Sequence, residues 1–133
     1  MQHRFKRTRG EIANIVRMTE EFFEQEQRDP SLRHVVDLAT EELFVNMVSY
    51  NTETDEDVLI EMKPRGDGVQ VSLTDFDVER FDPTEAGTVD VHAPLEDREP
   101  GGLGLYLVLK MVDSINYEYR DRQSKTTFNV DRK

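Results

Sequence analysis

The stretch Pro100-Gly101-Gly102-Leu103-Gly104-Leu105 places three glycines directly before an apolar run that continues to Val112. Glycine lets the backbone turn sharply and approach a ligand closely. A helix that begins there presents free N–H groups and the positive end of its dipole to an anion. The stretch is therefore either a tight turn before a buried helix or a cradle for phosphate groups. Taken alone, such a turn favours the first interpretation.

A second feature lies far upstream, where Glu42 and Asn46 stand four residues apart on a helix predicted over residues 31–50. The two side chains share one face of that helix, about one turn apart. They form either a solvated flank of the helix or a pair with a chemical role. Asparagine is a mediocre helix former, which favours a role for its side chain. The core-facing stripe of the same helix comprises Leu32, Val36, Ala39, Leu43, Met47 and Tyr50.

Composition limits the classes of function that this chain can serve. Its 133 residues carry 17 Lys and Arg against 28 Asp and Glu, a net charge of −11. This balance opposes non-specific binding to nucleic acid and to an anionic membrane surface. There is no cysteine, hence neither a disulfide framework nor thiolate chemistry. No signal peptide or membrane span is recognisable, so we expect a cytoplasmic protein.

Hydrophobic periodicity predicts a single domain, residues 1–133, with an α/β fold. The fold is a two-layer sandwich of one mixed, mostly antiparallel sheet with helices on one face. Ser31 is the expected N-cap of the second helix. The segment from Phe76 to Pro100 has no periodicity and is rich in acids and prolines, as in a functional loop or lid. Strands are predicted over 3–8, 58–62, 68–73, 114–119 and 126–130, with 121–125 as the last turn, and helices over 9–27, 31–50 and 103–112.

Three motifs occur in a fixed order: Glu41-Glu-Leu-Phe-Val-Asn46, Phe81-Asp82-Pro83 and the glycine block that opens the run through Met111-Val112-Asp113. In this order they resemble the Bergerat-type ATP-binding fold of histidine kinases, DNA gyrase and the heat-shock chaperones. Within that fold the chain is most similar to the anti-sigma-factor serine-protein kinases. The resemblance extends from about Ile12 to the C-terminus, and it implies ATP and Mg²⁺ as cofactors.

The resemblance implies a role for each matching side chain. Asn46 would offer its amide oxygen to Mg²⁺, a hard ion that prefers oxygen ligands. Glu42 would be the catalytic general base that takes the proton of an attacking hydroxyl. Asp75, at the end of a strand, would accept a hydrogen bond from the adenine amino group.

Other positions would contact the nucleotide less specifically. Thr127 would lie near the adenine, and Arg98 would reach a phosphate, although an exposed lid arginine is an equal interpretation. The backbone that wraps the phosphates would come from Gly101, Gly102, Leu103, Gly104 and Leu105.

One departure from the family pattern concerns the strand end, which normally reads Asp-x-Gly. Here it reads Asp75-Phe76-Asp77, with an aspartate in place of the glycine. An added carboxylate near the nucleotide should repel phosphate, so the replacement weighs on kinase activity more than on fold.

The leading hypothesis is an ATP-dependent serine/threonine kinase that regulates a sigma factor or similar partner by switching between protein complexes. Its substrate would be a Ser or Thr of a small antagonist protein, and it could act as a homodimer. The alternative is a partner-binding module of the same fold with little or no catalysis. An isolated ATPase half of a histidine kinase fits less well, because His3 and His34 lack a surrounding pair of dimerisation helices. The three histidines, with His92, are too scattered for a metal site.

Overall fold

A computed structural model describes residues 1–80 and 102–132, and for residues 102 and 103 it describes the backbone. Within these ranges the chain forms one five-stranded sheet and three α-helices. The predicted loop after residue 80 lies outside the described residues, and so do Phe81-Asp82-Pro83, Arg98 and Gly101.

The sheet is antiparallel at every described pairing and has the order β1-β2-β3-β5-β4. β3 is the central strand, and it pairs with β2 on one side and with β5 on the other. The strands are β1 (Gln2–Phe5), β2 (Val58–Arg65), β3 (Gly68–Phe76), β4 (Ser114–Arg120) and β5 (Gln123–Val130).

The helices are α1 (Ile12–Gln25), α2 (Arg33–Tyr50) and α3 (Gly102–Met111), and short 3-10 turns precede the first two. The turn before α2 begins at Asp29, whose side chain accepts a hydrogen bond from the Ser31 N–H. Our expectation of Ser31 as the cap was therefore wrong by two residues. Pro30, at the first position of the turn, has no N–H. The first N–H that needs an acceptor is therefore that of Ser31, and the Asp29 side chain accepts it.

The core lies between the sheet and the helices, as a two-layer sandwich requires. On β3 every second side chain is fully buried toward the helices, for example Val71 and Leu73. They pack with apolar residues of α2 such as Val36 and Phe44. This confirms the predicted fold class, with a sheet whose described pairs are all antiparallel.

Both described hairpins are tighter than the sequence pattern indicated. β4 and β5 are joined by Asp121 and Arg122 alone, both with positive φ (53° and 61°), so the predicted turn over 121–125 was too long. Two left-handed residues make the connection that best matches strand twist. β2 and β3 likewise meet across Gly66, with φ 55°, and Asp67. In the described parts of the chain no helix is long and apolar enough to cross a membrane.

Candidate functional site

Helix α2 presents Glu42 and Asn46 on one face, as their spacing predicted. Asn46 is buried, with 7% of its surface exposed, and Glu42 is half-buried. Neither side chain makes a hydrogen bond or an ion pair with another described residue. Within the part of the chain that the structure describes, these two polar groups have no hydrogen-bond partner.

The first turn of α3 lies directly against Glu42. A Cβ atom added to Gly104 would meet the carboxylate, at 2.6 Å from Cδ and 2.8 Å from Oε1 of Glu42. Such distances are shorter than real Cβ contacts, so the Glu42 carboxylate can occupy this position only because residue 104 is glycine. The next residue, Leu105, points into the core and is 2% exposed. Helix α3 is therefore fixed by its apolar side, and its glycine backbone faces the carboxylate.

Partial burial raises the pKa of the Glu42 carboxyl above its ordinary value, and the negative charge of Glu41 raises it further. A carboxylate that is desolvated and not hydrogen-bonded binds a proton more readily than one in water. Glu41 is itself half-buried. A raised pKa without a stabilising partner is typical of groups that transfer protons.

Asp75 lies near the end of β3 on the helix-covered face and is fully buried. Its carboxylate is held by both ends of the Arg7 guanidinium, at 2.5 Å for Nη1–Oδ1 and 3.1 Å for Nη2–Oδ2. The amide of Asn51, just after α2, donates a third hydrogen bond to Oδ2 at 2.7 Å. This carboxylate is thus paired, whereas that of Glu42 has no partner among the described residues.

Asp77 stands where the family pattern has glycine, and it adopts a left-handed conformation with φ 56°. Aspartate tolerates this region better than most residues. Its carboxylate accepts a hydrogen bond from Nε of Arg122, at 2.9 Å, in the turn between β4 and β5. The next residue, Val78, donates its N–H to the Arg122 carbonyl. The added carboxylate is therefore occupied by the neighbouring hairpin.

The two threonines of β5 point to opposite faces of the sheet. Thr127 pairs in register with Ser72, whereas Thr126 pairs with Leu73, on the same face as Asp75. Thr126 is fully buried, and its hydroxyl oxygen has no hydrogen-bond partner within the described chain. Of the two, Thr126 shares the helix-covered face with the other candidate residues, and Thr127 does not.

The structure thus brings the Glu42 carboxylate against Gly104 in the first turn of α3, with Asn46 one turn further along α2, and it places Asp75 near the end of β3. Sequence reasoning did not find Arg7 or Asn51. Arg7 is separated from Asp75 by 68 positions and lies in a basic N-terminal segment, where one arginine has no distinguishing signal. In the described ranges no group of three His, Cys, Asp or Glu residues could hold a metal ion by itself.

Comparison with known proteins agrees with this architecture. The model of the histidine kinase-like ATPase domain matches residues 5–130. A chain from the crystal structure of the SiaB–SiaC complex of Pseudomonas aeruginosa superposes with a TM-score of 0.62 at 17% identity, over 98% of this chain and 88% of that one. No curated protein matches the chain significantly. At this identity the structural match establishes the fold alone.

Proposed function

This chain belongs to the histidine kinase-like ATPase domain family, and on that premise we propose that it is an ATP-dependent kinase acting on a Ser or Thr of a partner protein. The observation that carries the proposal is the Glu42 carboxylate, which lies against the first turn of α3, has no partner among the described residues and has a raised pKa. Such a group can accept the proton of an attacking hydroxyl.

The groups at Asn46 and at the N-terminus of α3 suit Mg²⁺ and phosphate. Asn46 offers an amide oxygen that no described residue engages, and hard cations prefer oxygen ligands. One protein ligand is enough for Mg²⁺, which commonly takes its other ligands from phosphates and water. The phosphates would lie at the N-terminus of α3, where Gly102 begins the helix and the dipole favours anions.

Glu42, Asn46 and Gly104 would each have a separate role in the phosphotransfer. Glu42 would take the hydroxyl proton at a carboxylate oxygen, and Asn46 would orient the metal. Bound Mg²⁺ would supply neutralisation of the charge on the transferring phosphate. Gly104 keeps α3 close enough for Glu42 to lie beside the phosphate-binding turn.

The part of the site around Asp75, where the family resemblance would place the adenine ring, does not fit adenine in this conformation. Asp75 is the residue that family resemblance assigns to the adenine amino group, and its carboxylate is engaged by Arg7 and Asn51. Thr126 offers a buried hydroxyl that no described residue engages, on the same face of the sheet, and it replaces Thr127 as our candidate base contact. A purine would therefore require the Arg7–Asp75 pair to open.

We propose a regulatory protein as the partner: a sigma factor or its equivalent, together with a small antagonist that carries the phosphorylated hydroxyl. The fold resembles that of a chain solved within a two-protein complex, which is in keeping with this proposal. A homodimer would also agree with the family resemblance.

A second candidate function is a partner-binding module that performs no chemistry. The occupied carboxylate of Asp75 favours it, because a sealed base site binds nucleotide weakly. The aspartate at position 77, in place of the family's glycine, favours it as well, although its carboxylate is bonded to Arg122 in the structure.

Calorimetry with ATP, with and without Mg²⁺, tests the proposal on the parent and on Asn46→Ala. We expect the parent to bind ATP in a Mg²⁺-dependent way and the variant to lose most of that dependence. Phosphotransfer to a co-purified partner is then measured. Binding without transfer would favour the partner-binding module, and no binding at millimolar Mg-ATP would reject nucleotide chemistry altogether.

A further inference from the structure

Arg7 ties three elements of the fold together through one guanidinium group. Besides the Asp75 carboxylate, it donates hydrogen bonds to the carbonyl oxygens of Met47, Asn51 and Glu56, at 2.9, 3.0 and 3.2 Å. Met47 and Asn51 lie at the C-terminal end of α2, where the Met47 carbonyl also accepts the Asn51 N–H. The side chain of Arg7 is 11% exposed. It is thus a buried charge whose donors are directed at the end of α2 and the end of β3.

This pairing leaves the Asp75 carboxylate little capacity for an incoming donor. A carboxylate has about four lone-pair positions, and three are filled by Arg7 and Asn51. No part of the Asp75 side chain is exposed. A ligand amino group therefore cannot reach the carboxylate while Arg7 remains in place.

A neighbouring cleft offers the Arg7 side chain an alternative position. It lies in the short connection between β1, which ends at Phe5, and the 3-10 turn that begins at Arg9. An open cleft of about 500 Å³ adjoins its side chain and is lined by Asp55 and Asp57 among others. These two acids can receive a guanidinium in a hydrated setting, so the charge of Arg7 need not be left unpaired when it withdraws.

We propose that Arg7 competes with the nucleotide base for the Asp75 carboxylate, so that ATP binds only the form in which the Arg7 side chain has withdrawn. This inference rests on the proposed function, because it takes Asp75 to be the acceptor of the adenine amino group. The apparent affinity for ATP is then the intrinsic affinity reduced by the fraction of molecules in the withdrawn form.

Competition has a signature that a purely structural role does not share. Removing Arg7 deprives the folded protein of a buried ion pair and lowers its stability. The same change frees the carboxylate and raises the affinity for ATP. A structural residue would lower both quantities.

The experiment compares Arg7→Ala and Arg7→Gln with Arg9→Ala, which removes the same charge from an exposed position two residues away. Affinities for Mg-ATP and Mg-ITP are measured by calorimetry, and stability without nucleotide is measured by thermal denaturation. ITP carries a carbonyl oxygen in place of the amino group. We expect both Arg7 variants to melt at lower temperature yet to bind ATP about tenfold tighter or more, since minor states are commonly populated at 0.1–10%. ITP should show no such gain, and Arg9→Ala should resemble the parent.

Each other outcome counts against the inference. Equal gains for ATP and ITP, or unchanged or weaker ATP binding in the Arg7 variants, would overturn competition while leaving nucleotide binding by the parent intact. If neither parent nor variants bind any nucleotide, the proposed function fails first.

A measurement on the parent guards against variants that do not fold. The side-chain ¹⁵N–¹H signals of Arg7 should move on titration with Mg-ATP, because the bonds to Asp75 open. Signals that stay unchanged at saturation would overturn the inference.

Discussion

The two carboxylates on either side of the candidate site are held in opposite ways. Asp75 is fully buried, yet Arg7 and Asn51 satisfy it with three hydrogen bonds. Glu42 is only half-buried, yet it has no described partner and its pKa is raised. Burial alone therefore does not decide which acid is chemically available.

The difference shows that the same fold can hold one acid in a structural ion pair and keep another available for proton transfer. A buried carboxylate held by a guanidinium is engaged by its partner, and breaking such a pair destabilises the folded state. A carboxylate left without donors, beside a glycine backbone, keeps the capacity to bind a proton. Each of the following changes tests one side of this contrast.

The largest effect is expected from Glu42→Gln. The amide keeps the shape but cannot accept a proton, and removal of a general base typically costs on the order of 10²–10⁴ in rate. Phosphotransfer should fall by that factor while the affinity for ATP changes little. Glu41→Gln is the control on the same helix, although removing the charge of Glu41 also lowers the Glu42 pKa slightly. Equal rates for the two variants would mean that Glu42 is not the base.

The next effect concerns the two aspartates at the end of β3. Asp75→Asn leaves the Arg7 charge buried without a countercharge, and we expect the free energy of unfolding to fall by about 3 kcal/mol. Asp77→Asn keeps a residue that tolerates positive φ and breaks an ion pair whose side chains are 52% and 63% exposed. It should cost less than about 1 kcal/mol. Urea denaturation measures both, and similar losses would contradict the contrast between a buried and an exposed pair.

Gly104→Ala should separate stability from activity. Its Cβ would displace the movable carboxylate of Glu42, so phosphotransfer should fall by roughly 10², as small misplacements of catalytic groups do. Stability should hold or rise by up to about 1 kcal/mol, because alanine favours a helix. The matched control is Gly68→Ala, whose Cβ would meet backbone atoms, among them Cα of Asp131 at 2.9 Å. That variant should lose stability instead; a stable, fully active Gly104→Ala would contradict the proposed contact.

The smallest effect is the pH dependence of stability. The folded state raises the Glu42 pKa, so its contribution is fully present below the ordinary value of 4.5 and is lost as pH rises through the folded value. Relative to the parent, Glu42→Gln should therefore become more stable as pH increases across that window. Partial exposure should keep the change below about 1 kcal/mol. Melting temperatures of the two proteins from about pH 4 to pH 7 measure it, and a constant difference would show that the Glu42 pKa is not raised.

The sequence predicted what depends on local pattern. The apolar stripe of α2 fixed the face that carries Glu42 and Asn46, and the glycine block marked the start of α3. Alternation on β3 placed Asp75 at a strand end. These features follow from helical and strand periodicity within short windows.

The rest depends on contacts between distant positions. The Arg7–Asp75 pair and the Asp77–Arg122 bond span 68 and 45 positions, and no local pattern distinguishes these arginines from other surface arginines. The choice between Thr126 and Thr127 turned on register, because a shift of one residue reverses the face of every side chain.

Because β3 lies at the centre of the sheet, we expect its two strand pairings to form at different times during folding. Its pairing with β2 needs only a two-residue turn, whereas its pairing with β5 must wait for α3 and the chain before it to be enclosed. Contacts between distant segments form late, because the entropy of closing a long loop is lost first. The bond from Arg7 to Asp75 belongs to this late class. The site should consequently be the last part of the molecule to form during synthesis, and a newly made chain has a folded hairpin well before it has a binding site.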